Sequence, residues 1–453
     1  MLTVVAFVVA LGLLIAVHEY GHYRVAVACG VKVLRFSVGF GKTILRWQPK
    51  GSATEFVIGA FPLGGYVKML DEREAPVAPE ERHLAFNNQP LKSRAAIVAA
   101  GPAANLLLAI VLYATVNWIG VDEPKAILAS PVAGSVAQSA GLAGGETVLR
   151  AAREGSPLEP VASFEDLRWL LTQGALDAEN VRVEVQSPAA RGPREVLLEL
   201  NRIGAKDADA QLFRKIGILG PWTQPVIGQV MPEGAAGKSG LRQGDVVRSV
   251  GTVRIVDGQQ LREIIRASVK GRQPLTQTWQ VERNGTVVEL AVTPEAKMDS
   301  GKLVGRIGAY VGAPPEFVTI SYGFFDGLWN GAVRTWEVSL LTLRMMGRMV
   351  IGEASLKNLS GPLTIADYAG KSASMGLTQY LVFLALISVS LGVLNLLPLP
   401  VLDGGHLMYY LWEGVTGKSV SDAWMDRLQR GGVAVLLVMM CIALFNDVTR
   451  LFG

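Results

Sequence analysis

Residues 18–22 read His18-Glu19-Tyr20-Gly21-His22. On a helix, His18 and His22 stand one turn apart on the same face, so their imidazoles can grip a single metal ion. Glu19, beside the first, can take a proton from water activated by that ion. The pentad closes an apolar run, since Val4–Val17 contains no charged residue. Ionisable groups at membrane depth are costly and mark functional sites. Two histidines hydrogen-bonded inside a helix bundle are the bland alternative.

A catalytic ion of this kind needs a third protein donor and a fourth position left for water. The stretch Asn395-Leu396-Leu397-Pro398-Leu399-Pro400-Val401-Leu402-Asp403-Gly404-Gly405-His406 follows another apolar run. Pro398 and Pro400 cannot continue a helix, because each lacks an N–H and its ring clashes with the preceding turn. Irregular backbone at membrane depth survives only inside protein or along a wet cavity. Asp403 at that break can offer one oxygen to the ion. It could instead merely cap a helix, and His406 is a rival third donor; the reading favours Asp403. His83, in an acid-rich loop, is expected to face solvent. Asn395 is a candidate donor to an oxyanion, although its amide could equally tie down the broken helix.

The elements that must carry these residues follow from the apolar pattern. Half of the 453 residues are hydrophobic and 18% are charged, which points to a membrane protein with soluble parts. The net charge of +4 calls for no nucleic-acid partner. Apolar segments lie at about 2–23, 97–119, 378–398 and 432–446, and the last, being short, is expected to extend over Gly431 and Asn446-Asp447. Eleven Lys and Arg between Arg24 and Arg94, against six acids, place that connection in the cytoplasm. Residues 120–375 then lie outside. The N-terminus lacks the basic residues that open a secretory signal, so a retained helix is expected there. Cys29 and Cys441 read as inert thiols, and no disulfide framework is expected in 120–370. Thr335–Ile351 carries Glu337, Arg344 and Arg348 and reads as an amphipathic helix at the outer interface rather than a fifth span. Four spans bring the pentad and Asp403 to the same side of the bilayer.

Between the first two spans, Val31–Val38, Thr43–Trp47 and Glu55–Ile58 are rich in β-branched and aromatic residues, with Gly39, Gly41 and Gly51 as turns. A β-hairpin dipping towards the site is expected, whose edge could pair with an unwound substrate. A purely structural hairpin is the alternative. Outside the membrane, Ala140-Gly141-Leu142-Ala143-Gly144-Gly145-Glu146 echoes Ser239-Gly240-Leu241-Arg242-Gln243-Gly244-Asp245. Each copy is followed by β-branched residues, a helix-like stretch and strand-like runs, which predicts two small α+β modules.

The pentad, the later Leu-Asp-Gly and these modules resemble the site-2 family of intramembrane zinc metalloproteases in its bacterial form. Phe36-Ser37-Val38-Gly39-Phe40-Gly41-Lys42, Pro62-Leu63-Gly64-Gly65-Tyr66-Val67-Lys68-Met69-Leu70-Asp71-Glu72, Ala85-Phe86-Asn87-Asn88, Ala100-Gly101-Pro102-Ala103-Ala104-Asn105 and Leu359-Ser360-Gly361-Pro362 extend the likeness along nearly the whole chain. The resemblance implies that His18, His22 and Asp403 bind zinc and that Glu19 is the general base. It implies substrate handling by Asn395, Pro398 and Pro400. The Gly-Leu-x-x-Gly-Asp turn resembles PDZ domains of bacterial proteases, which makes Gly240, Leu241, Gly244 and Asp245 candidates for a carboxylate-binding loop; the first copy, with Glu146, is the weaker match. Such modules either read free C-termini or keep bulky ectodomains away, and the reading favours the filter.

The expected fold is therefore a multi-pass α-helical membrane protein with four transmembrane helices, a membrane-associated β-hairpin and two inserted α+β PDZ-like domains. The expected order is a first span at 1–30, the hairpin and loop at 31–96, a second span at 97–119, modules at 120–205 and 222–312, an interfacial helix region at 316–375, and spans at 376–408 and 427–449. The expected activity is a zinc-dependent endopeptidase in a bacterial inner membrane, with both modules periplasmic, acting on single-span membrane proteins. The resemblance adds an anti-sigma factor, shortened by a first periplasmic cut, in an envelope stress response. A PDZ-bearing scaffold or chaperone with a non-catalytic metal site is the rival. A transporter would show two matched halves, a symmetry these four segments lack.

Overall fold

The computed structural model describes residues 2–188, 190–203, 212–270, 273–299, 302–351 and 361–452. The chain forms two compact units, Met1–Val121 with Ser321–Gly453, and Asp122–Ile320.

The first unit contains α1 (Leu2–Ala28), β1 (Val33–Trp47), β2 (Glu55–Met69), α2 (Leu91–Ile119), α3 (Phe324–Val350), α4 (Pro362–Met375), α5 (Leu377–Asn395), α6 (Asp403–Thr416) and α7 (Asp422–Phe452). Among the described residues, four helices are long and apolar enough to cross a membrane: α1, α2, α5 and Ala423–Thr449 within α7. The last is longer than the apolar run alone, because the helix continues through Gly431 and through Asn446-Asp447. Asp447 is fully buried and stays in the helix because it has donors to accept from. Its carboxylate takes the Gly361, Leu363 and Thr364 amides and the Thr364 hydroxyl, the otherwise orphaned donors at the start of α4.

Helix α2 is the hub against which α1, α3, α5 and α6 pack. Small residues permit this, since helices in lipid associate by close contact rather than by expelling water. A Cβ on Gly21 of α1 would stand 2.4 Å from the Ala100 carbonyl oxygen, and one on Gly392 of α5 would stand 3.1 Å from that of Pro102. Helix α3 begins at Phe324, eleven residues before the amphipathic stretch expected from sequence. It lies against α2: Asn117 Nδ2 donates to the Gly327 carbonyl at 2.9 Å, and Trp118 stacks on Phe324. Its buried Thr335 and Ser339 donate to carbonyls one turn back, so neither hydroxyl needs water.

The hairpin is richer than expected. Residues 33–38 are flanked by 65–69 on one side and by 55–58 on the other, and 43–47 pairs with 56–59 beyond that. Gly39 and Gly41 turn the chain with φ of 90° and 85°, a region open to glycine. The pass to Met69 escaped the sequence reading because Gly59, Gly64 and Gly65 interrupt the β-branched pattern.

The inserted unit holds two modules of one design. The first sheet runs Glu159–Pro160, Thr147–Arg153, Val181–Gln186, Arg194–Leu198, and the second runs Val253–Arg254, Val246–Val250, Gln277–Arg283, Thr286–Val292. Each sheet packs on one helix, Phe164–Asp177 or Gly258–Ala267. Ser163 and Asp257 cap these helices through the Asp166 and Gln260 amides. Leu167, Leu171, Val181, Val183 and Val185 fill the first core, and Leu261, Trp279, Val281 and Val292 fill the second. The alternate burial of Val181, Val183 and Val185 is the two-residue period of a strand with one face inward. The unit begins and ends on paired strands, Val121–Pro124 and Phe317–Ile320.

Candidate metal centre

His18 and His22 project from α1 towards α2, one turn apart. Gly101 of α2 makes room for them: a Cβ there would fall 2.2 Å from His22 Nε2 and 2.8 Å from His18 Cε1. The third group arrives from the end of α5. The chain leaves the helix at Asn395, passes Pro398 and Pro400 in short turns, and re-enters a helix at Asp403. Glycine at the next two positions lets the first turn of α6 fold back on the broken stretch. A Cβ on Gly404 or Gly405 would stand 2.2 Å from the carbonyl oxygen of Leu397 or Leu399. The Leu-Asp-Gly-Gly run is thus a steric requirement of the break that aims Asp403 inward.

The three side chains converge. His18 Nε2 and His22 Nε2 are 3.2 Å apart, and Asp403 Oδ2 lies 3.3 Å from the first and 3.5 Å from the second. Four ligands placed tetrahedrally at the 2.0–2.1 Å typical of zinc stand roughly 3.3–3.4 Å from one another. The donor set therefore fits one small divalent ion with a position to spare. The side chains are 12%, 12% and 20% exposed, a setting that screens charges poorly. Asp403 Oδ2 is buried and accepts no hydrogen bond among the described residues. A buried carboxylate oxygen without a donor is costly unless a cation faces it.

Behind the donors, His22 Nδ1 lies 2.8 Å from the Ile97 carbonyl and His18 Nδ1 lies 3.1 Å from the Asn105 amide. Glu19 interacts electrostatically with His18, His22 and Asp403. A Cβ on Gly65 would stand 2.7 Å from Glu19 Cγ, so the outer pass of the sheet runs directly beside Glu19.

His18, His22 and Asp403 thus meet, and His406 does not join them: its ring packs edge-on against Tyr409. His83 is exposed. Asn395 ends α5 half-buried, Pro398 is exposed and Pro400 half-buried, all within the irregular stretch before Asp403. Gly101 and Asn105 carried no role in the sequence reading. The available signal was a lone amide side chain deep in an apolar helix, one turn from a glycine.

The carboxylate-loop candidates behave differently from a free anion cradle. The amides of Gly240, Leu241, Gly244 and Asp245 donate to Gly237, Ala236, Ile227 and Arg242 carbonyls. Asp245 is 1% exposed and accepts from Arg283 Nε and Nη2, both at 2.7 Å, and from the Arg242 amide at 2.8 Å. Arg283 also donates to the Gly240 carbonyl. Burial would raise the Asp245 carboxyl, but the Arg283 guanidinium outweighs it and holds the group below the usual carboxylate range. The first module repeats the device with Glu146, the Ala143 and Gly144 amides and Arg194. These residues close a turn.

Known proteins resemble this chain along nearly its whole length. The model of peptidase family M50 matches residues 6–439. A Ralstonia nicotianae protein described as a zinc metalloprotease is 42% identical, covering 100% of this chain and 99% of its own. The regulator of sigma-E protease RseP of Escherichia coli is 40% identical over 98% of both chains, as is the protease RseP of Yersinia pestis. With a match along nearly its full length, the chain belongs to peptidase family M50, the site-2 type of metallopeptidase.

Proposed function

We propose that this chain is a zinc-dependent intramembrane endopeptidase that cuts single-span membrane proteins in a bacterial inner membrane. The observation that carries the reading is the meeting of three donor atoms 3.2–3.5 Å apart from residues as distant in sequence as His18 and Asp403. His18, His22 and Asp403 would hold the zinc, which would act as a Lewis acid and bring the pKa of water to about 7. Glu19 accepts the proton and returns it to the leaving amine. Asn395 has an amide with no hydrogen bond among the described residues, which leaves it able to donate to the developing oxyanion. Pro398 and Pro400 keep the stretch beside it irregular, as a surface for an extended chain.

A helical substrate must unwind before its peptide bond is accessible. Residues 65–69 form an outer pass of the sheet, next to Glu19, and an outer strand can accept an added strand. The modules expected at 120–205 and 222–312 are PDZ-type and periplasmic in this reading. The turn amides around Asp245 are already engaged, which favours a size filter over a reader of C-termini. Full-length protein titrated with C-terminal peptides is expected to show no saturable binding up to millimolar concentration. Relatives named as sigma-E regulators point to an anti-sigma factor, already cut once in the periplasm, within an envelope stress response.

The test compares purified wild-type and Glu19→Gln protein on a tagged single-span substrate, with and without a chelator. Cleavage is expected to fall by about 10²–10⁴-fold in the variant, and to be lost with chelator and restored by zinc. Undiminished cleavage by Glu19→Gln overturns the reading and favours a scaffold with a non-catalytic metal.

A further inference from the structure

The two histidines are braced from behind by groups of different kinds. His22 Nδ1 faces the Ile97 backbone carbonyl at 2.8 Å. A carbonyl only accepts, so Nδ1 carries the proton and the Nε2 lone pair points at the other donors. The backbone fixes that tautomer. His18 Nδ1 faces the side-chain amide of Asn105 at 3.1 Å. Asn105 has no exposed surface, and Ser388 Oγ holds its backbone carbonyl at 2.7 Å. An amide can donate or accept, and a half-turn about its last bond exchanges the two ends. Nδ2 lies nearer the ring, while Oδ1 is buried with no partner, one half-turn from His18 Nδ1.

For His18 to give an Nε2 lone pair to a cation, its proton must sit on Nδ1, and only an acceptor there matches it. We infer that Asn105 is a positioning residue for the metal: its Oδ1 accepts the His18 Nδ1 proton, fixing the tautomer and ring orientation that Ile97 fixes for His22. The inference rests on the reading of His18, His22 and Asp403 as the zinc site. Outer-shell partners of this kind are worth about 10–100-fold in metal affinity. The Ile97 brace is beyond side-chain mutagenesis, whereas the Asn105 brace is open to it.

The test measures zinc affinity of the full-length detergent-solubilised protein by competition with a chromophoric chelator, alongside the thermal unfolding midpoint. Asn105→Leu keeps the bulk and removes the acceptor; its zinc affinity is expected to fall about 10–100-fold with the midpoint little changed. Asn105→Asp supplies only acceptors and is expected to bind zinc at least as tightly as wild type. A folded Asn105→Leu protein with wild-type affinity overturns the inference. So does an Asn105→Asp protein that binds about tenfold more weakly than wild type, and this arm decides should the leucine variant fail to fold. Wild-type protein that takes up no stoichiometric zinc would instead sink the zinc reading itself.

Discussion

Asp245 is a buried aspartate and Asp403 a partly buried one, and their surroundings differ in kind. Asp245 is wrapped by donors: two guanidinium N–H groups and a backbone amide engage both of its oxygens. Asp403 Oδ2 takes no hydrogen bond among the described residues and faces two imidazole nitrogens. A carboxylate with both oxygens engaged by donors holds a fold together. One whose lone pair converges with two others is placed to meet a cation. The same Leu, Gly and Asp residue types appear in both regions, so the difference lies in what the tertiary structure brings opposite each group.

The sharpest way to break that contrast is to exchange the charges. Asp403→Asn is expected to weaken zinc binding by more than about 100-fold, beyond an outer-shell loss, and to abolish cleavage while leaving the unfolding midpoint nearly unchanged. Zinc quantitation and a thermal melt read the two effects separately. Asp245→Asn should do the reverse: it strands Arg283 and is expected to destabilise the second module by about 3–5 kcal/mol. Hydrogen exchange of peptides spanning 277–292 in the full-length protein would show the loss, with zinc content unchanged.

Gly101→Ala places a methyl group against His22 Nε2. Displacing a ligand ring in this way is expected to reduce zinc affinity by about 10–100-fold, and zinc affinity equal to wild type would remove Gly101 from the cradle. Glu146→Gln, in the first module, is expected to cost only about 1–3 kcal/mol, because Arg194 sits 3.7 Å from Glu146 rather than at bonding distance. The smallest effect is pH dependence. The folded Asp245 carboxyl lies below its ordinary value, so its contribution is complete above about pH 4 and is lost as pH falls through the folded value. Protection in 277–292, taken relative to the intrinsic exchange rate at each pH, should fall in acid for wild type and change less in Asp245→Asn.

Much of the membrane unit was readable because its signals are local. The His18–His22 spacing needs only a helix, and the prolines before Asp403 force a break wherever that helix packs. The fourth helix outran its apolar run because Asp447 finds the bare amides of α4, a partner 83 or more residues away in the chain. The pass to Met69 was hidden because its glycines serve close contacts, Gly65 beside Glu19 among them, and carry no β signature. The turn at Gly240–Asp245 was found, but its amides face inward, which spacing alone does not reveal.

Sequence by itself determined which atoms could bind a metal and that they lie at the ends of apolar segments, since residue type and helical period are properties of the chain. Which carboxylate stands bare and which is sheathed in donors was decided only in three dimensions. A lone pair is satisfied or left open by groups that arrive from elsewhere: Arg283 for one aspartate, two imidazoles for the other. Gly101 and Asn105 acquire their meaning from the same source, because the helix that carries them meets the histidines only when the bundle is packed.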